Sequence, residues 1–394
     1  MKSLRIPLLL IAITTALMIS GCSRYQLASI ATSGDPGATA SSLITSRVSS
    51  YKTNPLLLVS DARRTKQQFK QLRALFRGEV KKSWGSDDQI ASRTQYVKYT
   101  QNYQSRAIID FDSGVVTVET LDQKQSNKSL HSAIVTTLLT PNDPRAVDLY
   151  SAKTTKISGK PYLVDLVIDQ QGRSISSPKR AEQFADHLLK KFRMQRNVKT
   201  PQGIKPLHYV KIRMVRNHVD VRAARYSKLV EKNAKRFGIS KNLIYAIIRT
   251  ESNFNPFAVS SAPAYGLMQL VPTSGGRDAY RSLTGKDRVP SSDYLFDAAN
   301  NIELGAAYFK LINSKYLGKI KDSVSREYCS IAAYNTGSGN VLTTFSKDRD
   351  YAVKLINRMS PSQVYNKLRS GLAHQEARRY LLKVLDARAE FANI

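Results

Sequence analysis

The sequence predicts an α+β domain followed by an all-α domain, and three features carry that prediction. The 394 residues are 42% hydrophobic and 23% charged, which excludes a disordered chain, a collagen and a multispan membrane protein. At roughly 100 to 200 residues per domain, this length suits two cores. Runs rich in Tyr and Val alternate with helical patterns in the first half, whereas from Val221 onward helix follows helix with Pro and Gly breaks between them. The expected divisions are residues 1–21 as a secretory signal, 22–54 as a tether, 55–205 as the α+β domain and 206–394 as the helical domain.

At the N-terminus Lys2 and Arg5 precede an apolar run from Ile6 to Ile19, which closes on Ile19-Ser20-Gly21-Cys22. The run is too short for a comfortable spanning helix, and the small residues before the cysteine suit a signal peptidase. These four residues resemble the lipobox of bacterial lipoproteins. The resemblance implies that Cys22 becomes the mature N-terminus and carries a lipid anchor. It also implies the outer membrane, periplasmic face, because Ser23 stands where an Asp would signal inner-membrane retention.

Lys and Arg number 61 against 30 Asp and Glu, a formal net charge of +31. The excess is spread along the chain, 28 basic against 15 acidic in residues 22–200 and 31 against 15 in residues 201–394. A secreted, lipidated chain has no nucleic acid in reach, so cell-wall polymer and lipid phosphates are the polyanions left. Solvated faces account for the same charge without any partner. With only Cys22 and Cys329, a disulfide framework is excluded.

Ser23 to Asn54, rich in Ser, Thr, Ala and Gly, reads as a tether that lets an anchored domain reach away from its membrane. Between Pro55 and Trp84 the positions Leu58, Phe69, Leu72, Leu75, Phe76 and Val80 recur at helical spacing among Lys and Arg, the mark of an amphipathic helix. Tyr96 to Tyr103 has strand composition, and Ala107 to Phe111 leads through Asp112-Ser113-Gly114 into Val115 to Leu121 as a hairpin. Helical patterns at Ser129 to Leu139 and Ser177 to Phe192 flank a further expected strand, Tyr162 to Ile168, which ends in the turn Asp169-Gln170-Gln171-Gly172. His131 and His187 are isolated and the carboxylates lack metal-ligand spacing, so this domain reads as a binding or positioning module.

After a strand-like stretch, His208 to Val215, the helical domain begins. Its first helix stops at Phe237-Gly238, where Gly serves as a C-terminal cap, and Ser240 is placed to cap the next. Along that second helix Ile244, Ile247, Ile248 and Glu251 fall at i, i+3, i+4 and i+7, which puts a carboxylate on the apolar face. Low dielectric and the negative end of the helix dipole both disfavour its charge, which suits a general acid near neutral pH. A helix-end carboxylate paired with Arg249 fits the same position.

The motifs around it are Glu251-Ser252-Asn253-Phe254-Asn255-Pro256, then Ala264-Tyr265-Gly266-Leu267-Met268-Gln269, and later Ala333-Tyr334-Asn335-Thr336-Gly337. Phe296-Asp297 with Asn301-Ile302, and Arg378-Arg379-Tyr380, complete the set. Over roughly Val221 to Leu385 this set resembles the lytic transglycosylases, which cleave peptidoglycan with a goose-lysozyme-like helical fold. With the lipobox and an α+β domain in front, the chain most resembles the membrane-bound lytic murein transglycosylase C family.

That resemblance implies a lysozyme-like (goose-type) helical domain with Glu251 as catalytic acid and base, next to Ser252. It implies a cleft loop of Gly266, Met268 and Gln269, in which the glycine lets sugar approach the backbone and Gln269 offers an amide. Met268 suits core packing as well as substrate contact. Tyr334 and Asn335 are expected to end a helix beside the cleft, and the Tyr380 hydroxyl to reach the carboxylate. Tyr265 and Thr336 depart from the smaller residues usual at these positions, which bears on subsite shape.

Most glycosidases place a second carboxylate across the scissile bond, yet between Ser252 and Arg277 there is no Asp or Glu. Glu251 must then act nearly alone, unless Asp278, Asp287, Asp293 or Asp297 folds back into the cleft. The family mechanism answers this: Glu251 protonates the glycosidic oxygen, and as carboxylate it takes the proton of the N-acetylmuramic acid 6-hydroxyl, which attacks C1. Water is not consumed, and a 1,6-anhydro sugar results. Holding the nucleophile inside the substrate replaces a bimolecular attack by a unimolecular one. A muramidase using water, and a silent wall-binding lipoprotein, are the other functions this chain could serve. Cys329 lies in an apolar helical segment as a packing thiol. The five histidines include no pair at i, i+3 or i+4, so neither metal nor cofactor is expected.

Overall fold

The computed structural model describes residues 57–392, so the signal, Cys22 and the tether lie outside the described residues. The amphipathic helix is α1, Leu57–Trp84. Its Phe69, Leu72, Phe76, Val80 and Trp84 are buried at the spacing the sequence shows. The sheet follows with β1 (Gln95–Thr100), β2 (Ser105–Asp110) and β3 (Val115–Thr120), then α2 (Ser126–Leu138), α3 (Pro178–Phe192), β4 (Met194–Thr200) and β5 (Gly203–Arg213). All neighbours are antiparallel, in the order β1-β2-β3-β5-β4. The expected hairpin is β2-β3, with Asp110 opposite Val115 across a loop that contains Asp112-Ser113-Gly114.

Side-chain alternation along β1 separates two packed faces. Tyr96, Lys98 and Thr100 adjoin Ala133 and Thr137 of α2, while Tyr99 meets the rings of Phe76 and Trp84 on α1 at 5.9 and 5.8 Å. The α1 face also buries a charge cluster. Arg106 is fully buried, with Nε 2.5 Å from Glu119, Nη2 2.8 Å from Asp87 and its guanidinium 3.9 Å from the Trp84 ring.

One local expectation does not hold. Tyr162 to Ile168 is not a strand: Leu166 and Val167 donate back to the Leu163 carbonyl at 3.0 Å, a helical-turn pattern, and Asp165 takes a positive φ of 65°. Tyr162, Leu163, Val164, Leu166 and Val167 are buried all the same and only Ile168 is exposed, so most of the hydrophobic run reports burial rather than a ladder. The Asp169 turn does form, with Gly172 N–H on the Asp169 carbonyl at 2.9 Å. The strand β5 pairs with both β3 and β4, so the chain leaves the sheet only at Arg213.

From there the chain is helical: α4 (His218–Ala224), α5 (Ser227–Phe237), α6 (Lys241–Ser252), α7 (Arg277–Thr284), α8 (Ser292–Phe296) and α9 (Ala298–Leu311). Then come α10 (Ser323–Thr336), α11 (Ser338–Thr343), α12 (Arg349–Ile356), α13 (Pro361–Gly371) and α14 (Gln375–Glu390). Gly238 ends α5 with φ +63°, as its sequence position indicates. Ser240 occupies the N-cap of α6 but makes no side-chain cap, and its hydroxyl accepts from Arg388 at 3.3 Å instead. The apolar core helix α6 packs between α5 and α14, and α10 lies against α14.

The sheet and the helices are joined through buried contacts. Tyr96 and Tyr162 both pack on Phe257, at 5.1 and 5.3 Å between ring centroids. Arg222 of α4, fully buried, donates to the carbonyls of Phe111 at 2.9 Å and Asn253 at 2.6 Å. This brings the β2-β3 loop against the end of α6.

Candidate active site

Glu251 sits in the last turn of α6, 5% exposed, on the side of the helix that the apolar residues share. The helix stops there because Asn253 and Phe254 take left-handed φ values of 48° and 59°, a conformation that Asn tolerates better than most residues. Asn253 Nδ2 is held by the Phe111 carbonyl at 2.7 Å and Asp112 Oδ1 at 2.9 Å. Asn255 Nδ2 reaches the Arg93 carbonyl at 3.0 Å. The segment after the carboxylate is therefore pinned by the N-terminal domain.

The carboxyl group faces a cleft of about 1100 Å³. Burial pushes its pKa up to about 7. The Tyr380 hydroxyl, donating to Oε1 at 2.7 Å, and Arg93, 3.5 Å from Oε2, oppose that rise, while the charge of Glu376 adds to it. Arg249, the partner that helix position alone suggests, turns away to Glu390 at 3.1 Å. A carboxyl group balanced between its two protonation states near neutrality can give up and take back a proton.

The Gly266 loop crosses over α9 and is organised by Asn301, which is fully buried. Asn301 Oδ1 accepts from Met268 N–H at 2.7 Å, and Nδ2 donates to the carbonyls of Leu295 at 2.7 Å and Tyr265 at 2.9 Å. Gly266 has φ +74°, and a Cβ there would come within 2.4 Å of the Leu295 carbonyl oxygen and 2.5 Å of Asn301 Nδ2. The packed loop, rather than an approaching sugar, is what requires a residue without a side chain. Met268 is fully buried against Gly305 and is a packing residue, with its carbonyl accepting the Tyr334 hydroxyl at 2.9 Å. Ser252 is likewise buried, its hydroxyl donating to Leu267 O at 2.8 Å and Ile248 O at 3.1 Å. Neither Gly266, Met268 nor Ser252 lies on the cleft wall.

Gln269, Tyr334, Asn335 and Thr336 do line the cleft. The Gln269 amide nitrogen is committed to the carbonyls of Gly266 at 2.9 Å and Ala258 at 3.1 Å, which leaves Oε1 as its free end. Thr250 Oγ1, one residue before Glu251, is also buried without a partner on the same wall. Tyr265 points elsewhere, packing between Phe69 of α1 at 6.2 Å and Phe296 at 5.4 Å.

None of Asp278, Asp287, Asp293 and Asp297 reaches the wall. Asp287 pairs with Arg277 and Asp297 caps α9. Besides Glu251, the carboxylates of the cleft wall are Asp112, Glu376, Asp386 and Glu390, of which Asp112 is bound to Asn253, Glu376 to Arg93 and Glu390 to Arg249. Sequence reasoning missed Asp112 and Arg93, which come from the N-terminal domain and have no local mark among its many charged residues. Cys329 is buried in α10, where burial pushes its thiol up to about 12, and it stays a packing residue.

Both halves of the chain are similar to known proteins. The family described as membrane-bound lytic murein transglycosylase C, N-terminal domain, matches residues 62–225, and the transglycosylase SLT domain matches residues 228–357. A membrane-bound lytic murein transglycosylase C of Pectobacterium atrosepticum is 45% identical over 325 residues, covering 82% of this chain and 90% of the relative. One from Mannheimia succiniciproducens is 42% identical over 317 residues, 80% of this chain and 87% of its own. Among solved structures, an inactive mutant of the lytic transglycosylase Slt from Pseudomonas aeruginosa is 26% identical, with a TM-score of 0.34 over 42% of this chain and 24% of that one. By the match of both its halves and by the identity it keeps along four-fifths of its length, the chain belongs to the membrane-bound lytic murein transglycosylase C family.

Proposed function

We propose that this chain is a peptidoglycan lytic transglycosylase in which Glu251 is the one acid and base. The observation that carries the reading is a buried carboxyl group with a pKa near 7, a tyrosine hydroxyl 2.7 Å from one oxygen, and an open cleft in front of it. Protonated Glu251 gives its proton to the oxygen between N-acetylmuramic acid and N-acetylglucosamine, and the C1–O bond breaks. The 6-hydroxyl oxygen of the same muramic acid bonds to C1, and its proton returns to the Glu251 carboxylate. Bonds and protons balance without water, so the carboxylates of the wall are not needed as a nucleophile or water activator. The unpartnered Oε1 of Gln269 and Oγ1 of Thr250 suit a ligand rich in hydroxyl and amide donors, since leaving a buried polar atom unpaired costs about 1–3 kcal/mol. Tyr334, beside Gln269 through its bond to the Met268 carbonyl, and Asn335 also line the cleft as further substrate contacts, and Tyr380 acts through the carboxyl group.

Glu251→Gln is nearly isosteric and cannot exchange a proton, so turnover of purified sacculi should fall at least 10²- to 10⁴-fold with folding and sacculus binding retained. Mass spectrometry of wild-type products should show fragments lighter by one water than those of a lysozyme. Ordinary reducing ends would instead assign a muramidase. Near-wild-type activity of the variant would remove Glu251 from the chemistry.

The relatives are named membrane-bound, and no helix among the described residues is long and apolar enough to cross a membrane. We take the attachment to be a lipid on Cys22, which places the chain on the periplasmic face of the outer membrane beside its polymer. The catalytic unit begins, on this reading, after β5 rather than within it.

A further inference from the structure

Glu251 has a neighbour that the helical domain does not supply. Arg93 lies in the segment leading into β1, and its carbonyl is tied to Asn255 of the loop after α6. Its Nη1 stands 3.5 Å from Glu251 Oε2 and its Nη2 3.2 Å from Glu376 Oε1. The guanidinium is about one-third exposed and lines the cleft with Ser92 and Thr94. Tyr380 covers Oε1 and Arg93 covers Oε2, so the two carboxylate oxygens have one neutral and one cationic neighbour, each from a different domain.

We propose that Arg93 is a positioning residue of the reaction, a cation lent by the N-terminal domain that holds the Glu251 carboxylate between its two proton transfers.

This inference rests on Glu251 being the acid and base. In that role the group is neutral, then anionic, then neutral again. Burial favours only the neutral form. With burial and the Tyr380 hydrogen bond alone, the group would part with its proton reluctantly, its anion held by a neutral donor on Oε1 and facing no charge at Oε2. A guanidinium in ion-pair range lowers the energy of the anion, and its second Nη, engaged by Glu376, keeps the cation beside Oε2. Tyr380, on α14, steadies Oε1 with a neutral hydrogen bond but brings no charge, and the remaining charged or titratable groups around Glu251 do not supply a cation either. Glu376, on α14, is an anion that Arg93 itself engages. Tyr334, on α10, gives its hydroxyl proton to the Met268 carbonyl. Arg249, on α6, is paired with Glu390. The N-terminal domain thus takes part in the chemistry through one side chain.

The pH profile of kcat/KM separates this role from a structural one, because its alkaline limb reports loss of the proton from Glu251 in the free enzyme. Arg93→Gln removes the cation, so the limb should move to higher pH, on the order of one unit. The same variant should lose about 10-fold in kcat with a smaller change in KM, short of the 10²-fold or more expected when the acid itself is removed. Arg93→Lys keeps the charge and should return the limb toward wild type. Glu376→Gln removes the competing anion and should move the limb the opposite way, to lower pH. A domain tether would lower activity without displacing the limb, so an unmoved limb in Arg93→Gln overturns the proposal, as does an upward shift in Glu376→Gln. If Arg93→Gln fails to fold, Arg93→Lys and Glu376→Gln decide by the same signs. Glu251→Gln assayed alongside keeps the two readings apart: if it is inactive and the wild-type products are anhydro-ended while the limb stays put, only the role of Arg93 fails.

Discussion

Glu251 carries a proton that couples the fold to pH. The folded protein holds its pKa at about 7 against the usual 4.5. Between those values the native state binds a proton that the unfolded chain has released, so stability falls as pH rises from about 4.5 to about 7. The contribution is complete below 4.5, where both states are protonated, and lost above 7. Glu251→Gln removes the titration. Its stability, followed through Tm, should exceed that of wild type by more at about pH 8 than at about pH 5, the free-energy difference between the two being at most on the order of 3 kcal/mol. Parallel melting temperatures at the two pH values would mean that the carboxyl group titrates near its ordinary value. The buried carboxyl thus destabilises the fold above neutral pH, and the packing of α6 against α5 and α14 offsets it.

At the scale of elements, the loop between α6 and α7 shows how a short motif is built by a distant helix. Gly266 lies between Asn301 and the Leu295 carbonyl with a left-handed backbone. Gly266→Ala meets both obstacles, steric and conformational, and should cost about 3 kcal/mol or more in denaturant unfolding. Gly238→Ala has the same left-handed strain with nothing within 4 Å of the added Cβ, so it should cost only about 1–2 kcal/mol. Equal losses at the two sites would show that the loop can shift to admit a methyl group. The same comparison explains Met268, whose position in the motif is maintained by α9 beneath it.

On the scale of the whole molecule, the two domains behave as one working unit. The cleft takes Arg73, Ser92, Arg93, Thr94 and Asp112 from the N-terminal domain and the rest of its wall from the helices. Arg222, Tyr162 and Tyr265 bury the junction behind it. A cleft built this way needs delivery to an insoluble polymer, and lipidation of Cys22 would hold it near the wall. Radiolabelled palmitate should enter the wild-type protein and not Cys22→Ala, and the variant should leave the membrane fraction. Equal labelling of the two proteins would locate the attachment elsewhere.

What the sequence by itself determined was local. Helical spacing marked α1 and the buried face of α6, the Asp112-Ser113-Gly114 loop marked the β2-β3 hairpin, and the motif placed a carboxylate at the C-terminal end of an apolar helix. These follow from contacts a few residues apart, which periodicity and turn chemistry record directly. Tertiary structure alone decided what surrounds that carboxylate. Motif resemblance brought Tyr380 to it across 129 residues, and the geometry agrees. No motif marked Arg93, or the grip of Phe111 on Asn253 across 142 residues. Nor could the sequence show that Tyr162 to Ile168 is a turn rather than a strand, or that Gly266 is required by Asn301. In each of these cases the deciding partner lies far along the chain. A side chain's local pattern reports that it will be buried, but not which group it will meet there.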